Sequence, residues 1–152
     1  MVNMIGKNFE QFAVLGLGRF GSEIAVALSG GGKEVLAVDV AEDRIQAVSS
    51  LVTHAVTADA TDEHVLKAIE ISSFDAVIVA IGDVEASVLA TVTLKELGAN
   101  YIVAKASNDK HKRVLEKIGA DYVIVPEAEM AHKLANRLMN KRLNDLMEVN
   151  DK

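Results

Sequence analysis

Cysteine and tryptophan are absent from this chain of 152 residues, and proline occurs once. Without cysteine the chain can form no disulfide, use no thiol nucleophile and build no thiolate metal site. Its longest apolar runs, such as residues 76–82, fall far short of the roughly 20 residues that span a bilayer. Residues 1–7 show no charged segment followed by an apolar one, so the sequence predicts a protein that is not exported.

Clustered positive charge is also lacking. The formal net charge is −6, and the one basic cluster, residues 110–113, is short. Binding to nucleic acid depends on many lysines and arginines near phosphates, so the charge argues against a general nucleic-acid binder. A hydrophobic fraction of 50% beside 25% charged residues predicts a globular protein, and the length suits one ordinary domain.

Apolar, β-rich runs recur six times and are separated by helix-like segments. The runs are residues 12–15, 35–39, 54–58, 76–81, 101–105 and 121–125. They are almost continuously apolar, as expected for strands covered on both faces, which favours a parallel sheet. Right-handed crossovers then place helices on both faces. The pattern predicts an α/β fold, with a doubly wound six-stranded parallel sheet.

Three glycines follow the first apolar run in the stretch GLGRFG. Gly16 permits a sharp turn, Gly18 lets the backbone approach a pyrophosphate, and Gly21 allows close packing of helix on strand. The helix amino terminus favours a phosphate. Asp39, 18 residues beyond Gly21, stands where a carboxylate accepts hydrogen bonds from ribose hydroxyls and repels the 2′-phosphate of NADP. The stretch predicts a Rossmann-like nucleotide site, with a simple glycine turn as the alternative.

Further polar residues follow the later strands at the same edge of the sheet. Asp59 and Thr61 come after the third strand, with helix capping as the alternative role. Gly82 follows the fourth strand and is either a ligand contact or a turn. Lys105 ends the fifth strand, where a lysine reaches for an anion or for solvent. His111 lies in the first turn of the next helix, and the sequence leaves open whether it touches the ligand.

Reaction chemistry is not evident in the sequence. No Ser, His and Asp set, no paired-histidine metal motif and no second domain that would bring a substrate to a nicotinamide ring stands out. The other histidines, His54, His64 and His132, are expected to be structural, with a pH switch as the alternative. A nucleotide-binding fold without such chemistry predicts sensing rather than catalysis. An NAD-dependent oxidoreductase, and an adenine-nucleotide sensor of an unrelated partner, remain alternatives.

The single proline precedes a long helix predicted over residues 127–147. At 1.5 Å per residue this helix would be roughly 30 Å long, which exceeds what the sheet requires. Its apolar side chains fall on one stripe, which predicts contact with a second copy of the chain, or else packing on its own sheet. The stripe comprises Met130, Ala131, Leu134, Ala135, Leu138 and Met139.

Six segments resemble the RCK/KTN (TrkA-N) domain, particularly that of the cytoplasmic gating subunits of Trk/Ktr potassium uptake systems. They are GLGRFG at 16–21, VLAVD at 35–39, DAT at 59–61, VAIGD at 79–83, AKA at 104–106 and LEKIGADYVIVPE at 115–127, and the resemblance covers about residues 11–147. It implies a non-enzymatic domain that binds ATP/ADP or NAD(H), forms homodimers within a ring that is octameric by resemblance, and gates a membrane potassium-transporter subunit from the cytoplasmic face of the cell membrane.

Carried over by position, the resemblance also implies the ligand contacts. Arg19 would contact phosphate, Asp39 ribose, and Glu127 the terminal phosphates bound by an adjacent subunit, sometimes with a divalent cation. The full expected set is Gly16, Gly18, Arg19, Phe20, Gly21, Asp39, Val40, Arg44, Asp59, Ala60, Thr61, Ile81, Gly82, Lys105, His111 and Glu127. The sequence does not decide whether the bound nucleotide is ATP/ADP or NAD(H), and it slightly favours ATP/ADP.

The predicted organisation has four parts. A tail over 1–10 precedes a nucleotide-binding domain over 11–126, which is followed by the helix over 127–147 as the dimer contact and a tail over 148–152. Ktr-type members of this family usually continue into a smaller carboxyl-terminal domain. Two explanations of the difference stay open: that domain has been removed from this chain, or it is dispensable here. The ring stoichiometry, the direction of gating and the identity of a cation are not encoded in any motif found.

Overall fold

The structure, a computed structural model, describes residues 8–140. Strands and helices alternate along this part of the chain, with a short 3-10 helix over Ile71–Ser73 before the fourth strand. The strands are β1 (Gln11–Leu15), β2 (Glu34–Asp39), β3 (His54–Thr57), β4 (Ala76–Val79), β5 (Ile102–Lys105) and β6 (Tyr122–Ile124). The helices are α1 (Arg19–Gly30), α2 (Glu42–Val48), α3 (Glu63–Ala68), α4 (Val84–Glu96), α5 (Asp109–Lys117) and α6 (Pro126–Asn140).

All six strands join one parallel sheet in the order β3-β2-β1-β4-β5-β6. The predicted fold is therefore confirmed. Leu15 at the end of β1 lies beside Val38 of β2 on one side and Val79 of β4 on the other. The chain order reverses between β1 and β4, and ligands of such sheets bind outside the carboxyl ends of the strands at this switch point.

Two apolar cores lie on opposite faces of the sheet, because successive strand residues point to opposite sides. Ala13 and Leu15 of β1 pack with residues of α3, α4 and α5. Phe12 and Val14 of the same strand pack with α1 and α2. The central strands β1, β2 and β4 are buried almost throughout, whereas β3 at the edge is largely exposed. The turns that follow β1, β2 and β4 thus extend from the buried centre of the sheet.

Polar and glycine residues mark the ends of α4 and α5. Asn108 caps α5 by accepting a hydrogen bond from the His111 amide at 2.9 Å. The chain leaves α4 through Gly98 and α5 through Gly119, both in the left-handed region that glycine adopts easily. The strand ends lie within one residue of their predictions, except at β4. This strand ends at Val79 rather than at residue 81, so Ile81 lies in the turn outside the sheet.

The last helix begins at Pro126, one residue earlier than predicted, and is described to Asn140. Its predicted continuation to residue 147, and the tail after it, lie outside the described residues. Between residues 126 and 140 no side chain of α6 is buried. Met130 is 65% exposed, and Leu134 and Leu138 are each 57% exposed. The alternative that this stripe packs on the domain's own sheet is therefore wrong for the described part of α6.

Candidate functional site

A cleft of about 450 Å³ opens at the switch point between β1 and β4. The turns after the first four strands form its walls, and the first turn of α4 closes one side. The lining residues are Gly16, Gly18, Val38, Asp39, Val40, Arg44, Ala58, Asp59, Ala60, Thr61, Ala80, Ile81, Gly82, Asp83, Ala86 and Lys105. This volume lies within the range of small-molecule pockets, about 300–1,000 Å³. We call it the first cleft.

The glycines of the turn after β1 serve two different purposes. Gly16 has a φ of +98°, and a Cβ there would lie 2.7 Å from the Ala80 carbonyl oxygen. A Cβ on Gly21 would collide with the Gly16 carbonyl oxygen. The fold itself therefore requires glycine at both positions, with or without a ligand. A Cβ on Gly18 would meet nothing within 4 Å, so the space beside Gly18 remains open to a ligand.

The amino terminus of α1 points its amide groups into the same region. Gly18 is the N-cap residue, and it has no side chain that could accept a hydrogen bond from the first turn. The first turn also contains no acidic residue. Backbone N–H groups at such a terminus, together with the helix dipole, favour an anion. The geometry fits a phosphate group without any rearrangement of a capping side chain.

Asp39 is a buried structural anchor of the first cleft, and its carboxylate is already engaged. One oxygen accepts a hydrogen bond from the Leu17 amide at 2.7 Å, and the other accepts one from the Ala41 amide at 2.8 Å. A guanidinium nitrogen of Arg44 lies 3.7 Å from the first oxygen. A carboxylate has about four acceptor sites, so capacity for ribose hydroxyls remains. Asp39 therefore joins the turn after β1 to the turn after β2, irrespective of ligand.

The turn after β3 is organised by its own side chains. Asp59 accepts hydrogen bonds from the Thr61 hydroxyl at 2.7 Å and from the Thr61 amide at 2.9 Å. These two bonds lower the pKa of Asp59, the hydroxyl having the larger effect. Asp62, and not Asp59 or Thr61, caps α3 by accepting from the His64 amide. The capping alternative for Asp59 and Thr61 is thus wrong, and both side chains line the cleft.

Two lining residues come from the start of α4. Asp83 caps this helix, accepting a hydrogen bond from the Ala86 amide at 2.8 Å, and both residues border the cleft. The sequence pattern singled out Gly82 and its neighbour Asp83, but it gave no signal for Ala86. Ala58 and Ala80, directly after β3 and β4, were missed as well. A small residue at each strand end is the sequence signal that could have indicated them.

A second, wider cleft of about 750 Å³ lies beside the first, between α1 and the start of α6. Lys105 borders both clefts. The other lining residues of the second cleft are Arg19, Phe20, Glu23, Ala106, Ser107, Val125, Pro126 and Glu127. Two cationic and two anionic side chains therefore face this space. Glu23, one turn along α1 from Arg19, was not expected at the site and is recognisable only from the helical spacing.

His111 lines neither cleft, and its ring lies buried behind the turn that follows β5. The Nε2 atom lies 2.6 Å from the hydroxyl of Ser87 on α4. The Nδ1 atom accepts a hydrogen bond from the Ser107 amide at 3.0 Å. Burial, and secondarily the charge of Lys105, lower the pKa of His111. The ring is thus held by protein groups on both sides and not presented to a ligand.

Residues 12–126 match the family model described as the TrkA-N domain. The chain belongs to the TrkA-N domain family. Among its relatives is the Ktr system potassium uptake protein C of Bacillus subtilis, 47% identical over 143 residues, which are 93% of this chain and 65% of the relative. The Ktr system potassium uptake protein A of the same organism is 48% identical over 93% of this chain and 64% of the relative. The chain thus spans less than two thirds of the length of either.

Solved structures with the same fold include nucleotide-binding proteins. The NAD(P)-binding domain of an exopolyphosphatase-related protein from Archaeoglobus fulgidus superposes with a TM-score of 0.77 at 25% identity, over 88% of this chain and all of that one. GsuK bound to ADP gives a TM-score of 0.73 at 26% identity, over 88% of this chain and 35% of that one. Within residues 8–140 of this TrkA-N domain, no helix is both long and apolar enough to cross a membrane.

The TrkA-N fold brings most of the expected site residues together. Those at the first cleft are Gly16, Gly18, Asp39, Val40, Arg44, Asp59, Ala60, Thr61, Ile81, Gly82 and Lys105. Arg19, Phe20, Lys105 and Glu127 meet at the second cleft. Gly21 and His111 line neither space. Among the described residues, no group of three or more His, Asp or Glu side chains is arranged to hold a metal ion, so Glu127 has no such protein partners there.

Proposed function

We propose that this TrkA-N domain is the nucleotide-sensing part of a regulatory subunit in a potassium uptake system. Adenine nucleotide, either ATP/ADP or NAD(H), binds in the first cleft with its phosphates extending towards the second. The observation that supports this most strongly is the coincidence of three features at one point: the switch point of the sheet, the uncapped start of α1, and the open space beside Gly18.

The first cleft suits an adenosine moiety. Apolar side chains of Val38, Val40 and Ile81 line it, while Asp39 and Asp59 supply carboxylate oxygens. An apolar wall with a few polar groups at fixed positions is the usual composition of a small-molecule site. Asp39 is the acceptor for ribose hydroxyls in this proposal, using the acceptor sites that the Leu17 and Ala41 amides leave unoccupied.

The phosphates are assigned to the start of α1 and to two cationic side chains. Arg19 and Lys105 both line the second cleft, and Lys105 also borders the first. Charge-assisted hydrogen bonds from these groups hold phosphate oxygens in the proposal. Glu23 and Glu127 in the same space oppose an additional negative charge. We therefore infer that a nucleotide with a terminal phosphate near Glu127 binds together with a divalent cation, for which that phosphate and a second copy of the chain supply further ligands.

The α6 stripe is proposed as the contact between two copies of this chain. Met130, Leu134 and Leu138 recur every four residues and are all more than half exposed. Such a continuous apolar face on a helix is typical of a covered surface. In the proposal, dimers built on α6 belong to a larger ring that acts on a membrane potassium-transporter subunit. The ring would change its shape when the bound nucleotide changes.

Nucleotide binding is tested by titration calorimetry of the purified chain with ATP, ADP, NAD and NADH. We expect at least one of the four to bind, and Gly18→Ala to weaken that binding because a methyl group would enter the space assigned to phosphate. Turnover of alcohols or keto acids with NAD is measured in parallel, and we expect none. A wild-type chain that binds none of the four nucleotides would contradict the proposal.

The dimer contact is tested by light scattering on two double variants that add the same charge. Leu134→Glu with Leu138→Glu places two carboxylates on the apolar stripe, and we expect this variant to be monomeric. Asn136→Glu with Asn140→Glu places two carboxylates, also four residues apart, on the opposite face of α6, and we expect it to remain dimeric. An unchanged dimer in the first variant would remove α6 from the interface.

The partner is tested by co-purification of the full-length subunit with a potassium-transporter membrane protein.

A further inference from the structure

The buried His111 ring connects the two sides of the site. On one side its Nε2 atom contacts Ser87 in α4, four residues after the Asp83 cap that borders the first cleft. On the other side its Nδ1 atom accepts from the amide of Ser107, in the turn after β5. Ser107 and the nearby Lys105 line the second cleft. No other side chain in the described part of the chain is hydrogen-bonded to both α4 and this turn.

The hydrogen-bond partners assign the tautomer of the ring. The Ser107 amide can only donate, so Nδ1 accepts and carries no proton. The proton of the imidazole is then on Nε2, which donates to the Ser87 hydroxyl oxygen. The hydroxyl proton of Ser87 is left for the Val84 carbonyl oxygen, 2.9 Å away. The ring is consequently neutral, and a proton added to Nδ1 would face the Ser107 N–H group and remove its acceptor.

We propose that His111 is a positioning residue for nucleotide binding, which holds the turn over residues 105–108 so that Lys105 and Ser107 face the phosphates. This role rests on the function proposed above. The bond from the Ser107 amide to Nδ1 carries the effect, because it fixes the peptide between Ala106 and Ser107, one residue beyond Lys105. The bond to Ser87 orients the ring and anchors it to α4.

Two substitutions at this position separate the two bonds. In His111→Asn, the side-chain oxygen stands near the place of Nδ1 and can still accept from the Ser107 amide, while the bond to Ser87 is lost. In His111→Gln, the terminal nitrogen stands near the place of Nε2 and can still donate to Ser87, while the Ser107 amide loses its acceptor. Ser87→Ala serves as the control, since it removes the helix contact without touching the turn.

The experiment measures the dissociation constant for ADP and the thermal stability of the wild type and all three variants. We expect His111→Gln to weaken ADP binding about tenfold, because an amide without its partner lets the turn move. Both His111→Asn and Ser87→Ala should bind ADP nearly as well as the wild type, even though they lose stability. A purely structural role predicts instead that affinity follows stability across the series.

The outcomes distinguish this inference from the proposed function. If the wild type binds ADP, either of two results overturns the positioning role alone. One is that His111→Gln binds ADP as well as the wild type. The other is that Ser87→Ala loses as much affinity as His111→Gln. A wild type that binds no adenine nucleotide overturns the proposed function and this role with it. Nitrogen NMR of the wild-type ring provides a measurement that needs no variant. A proton on Nε2 supports the assignment, and a proton on Nδ1 overturns it.

Discussion

Replacing Asp39 by alanine should destabilise the fold as well as weaken nucleotide binding. The carboxylate is buried and accepts two backbone amides, from Leu17 at 2.7 Å and from Ala41 at 2.8 Å. A hydrogen bond to a charged group contributes about 1.5–3 kcal/mol, so two would contribute roughly 3–6 kcal/mol. Leu17 is buried, and its amide would be left without a partner. Ala41 is half-buried, so water can replace that bond and the lower end of the range applies.

We therefore expect Asp39→Ala to lower the free energy of unfolding by about 3 kcal/mol. In a domain of this size that corresponds to a fall in melting temperature of roughly 10 °C. Urea denaturation of the chain without nucleotide is the assay. The matched control is Asp59→Ala, which removes an exposed carboxylate of the same cleft whose bonds are confined to Thr61. That control should change stability by less than about 0.5 kcal/mol.

Equal stability of the two variants would refute the anchoring role of Asp39. It would mean that the turns after β1 and β2 keep their shape without the carboxylate. A large loss of stability in Asp39→Ala alone would have a consequence for binding studies. Lost ADP affinity in that variant could then not be assigned to a missing ribose contact, because the Leu17 amide and the whole glycine turn would have moved. Affinity must therefore be compared at temperatures where both variants are folded.

Three further predictions concern the same region. Gly16→Ala should lower the free energy of unfolding by more than about 2 kcal/mol, because Gly16 has a left-handed backbone and other atoms fill the place of its Cβ. Gly18→Ala should lower it by no more than about 1 kcal/mol, because that space is open. Urea denaturation of the two variants compares these values. The folded state keeps the pKa of His111 below its ordinary value of 6.5, so stability from this group is complete above pH 6.5 and declines as the pH falls below it. His111→Asn should show a weaker decline in denaturation measured from pH 7.5 to 5.5. Thr61→Val should raise the pKa of Asp59 towards its usual value, as followed by carboxyl NMR; an unchanged titration would refute the hydroxyl's role.

The strands, their parallel arrangement and the glycine turn were predictable because each depends on a short, local pattern. Continuous apolar runs specify buried strands, and Gly16 and Gly21 stand where the fold leaves no room for a Cβ. The cap of α3 was not predictable in the same way. Asp59 and Asp62 are both suitable capping residues, and only the exact end of β3 and the start of the helix decide that Asp62 serves.

Properties that depend on distant parts of the chain were also beyond the sequence pattern. The position of His111 in the first turn of α5 left open whether it touches the ligand. Its burial against Ser87, 24 residues away, depends on how α4 and α5 pack. The α6 stripe has the spacing of a packed helix face. Whether such a face meets its own sheet or another chain is decided by the direction in which the chain leaves β6, and the structure directs this face to solvent.

Lys105 occupies the place where a change of ligand would have the widest effect. It ends β5, borders both clefts, and lies close enough to His111 for its charge to lower the pKa of that ring. A ligand shifts a conformational equilibrium only if it binds the two states differently, by about 1.4 kcal/mol for each tenfold change in their ratio. The presence or absence of a phosphate beside one lysine is sufficient for a tenfold change in this ratio, because a single charge-assisted hydrogen bond contributes about 1.5–3 kcal/mol. The second cleft also contains Glu127 at the start of α6. A difference in phosphate binding energy between the two states would therefore arise where the proposed dimer helix begins.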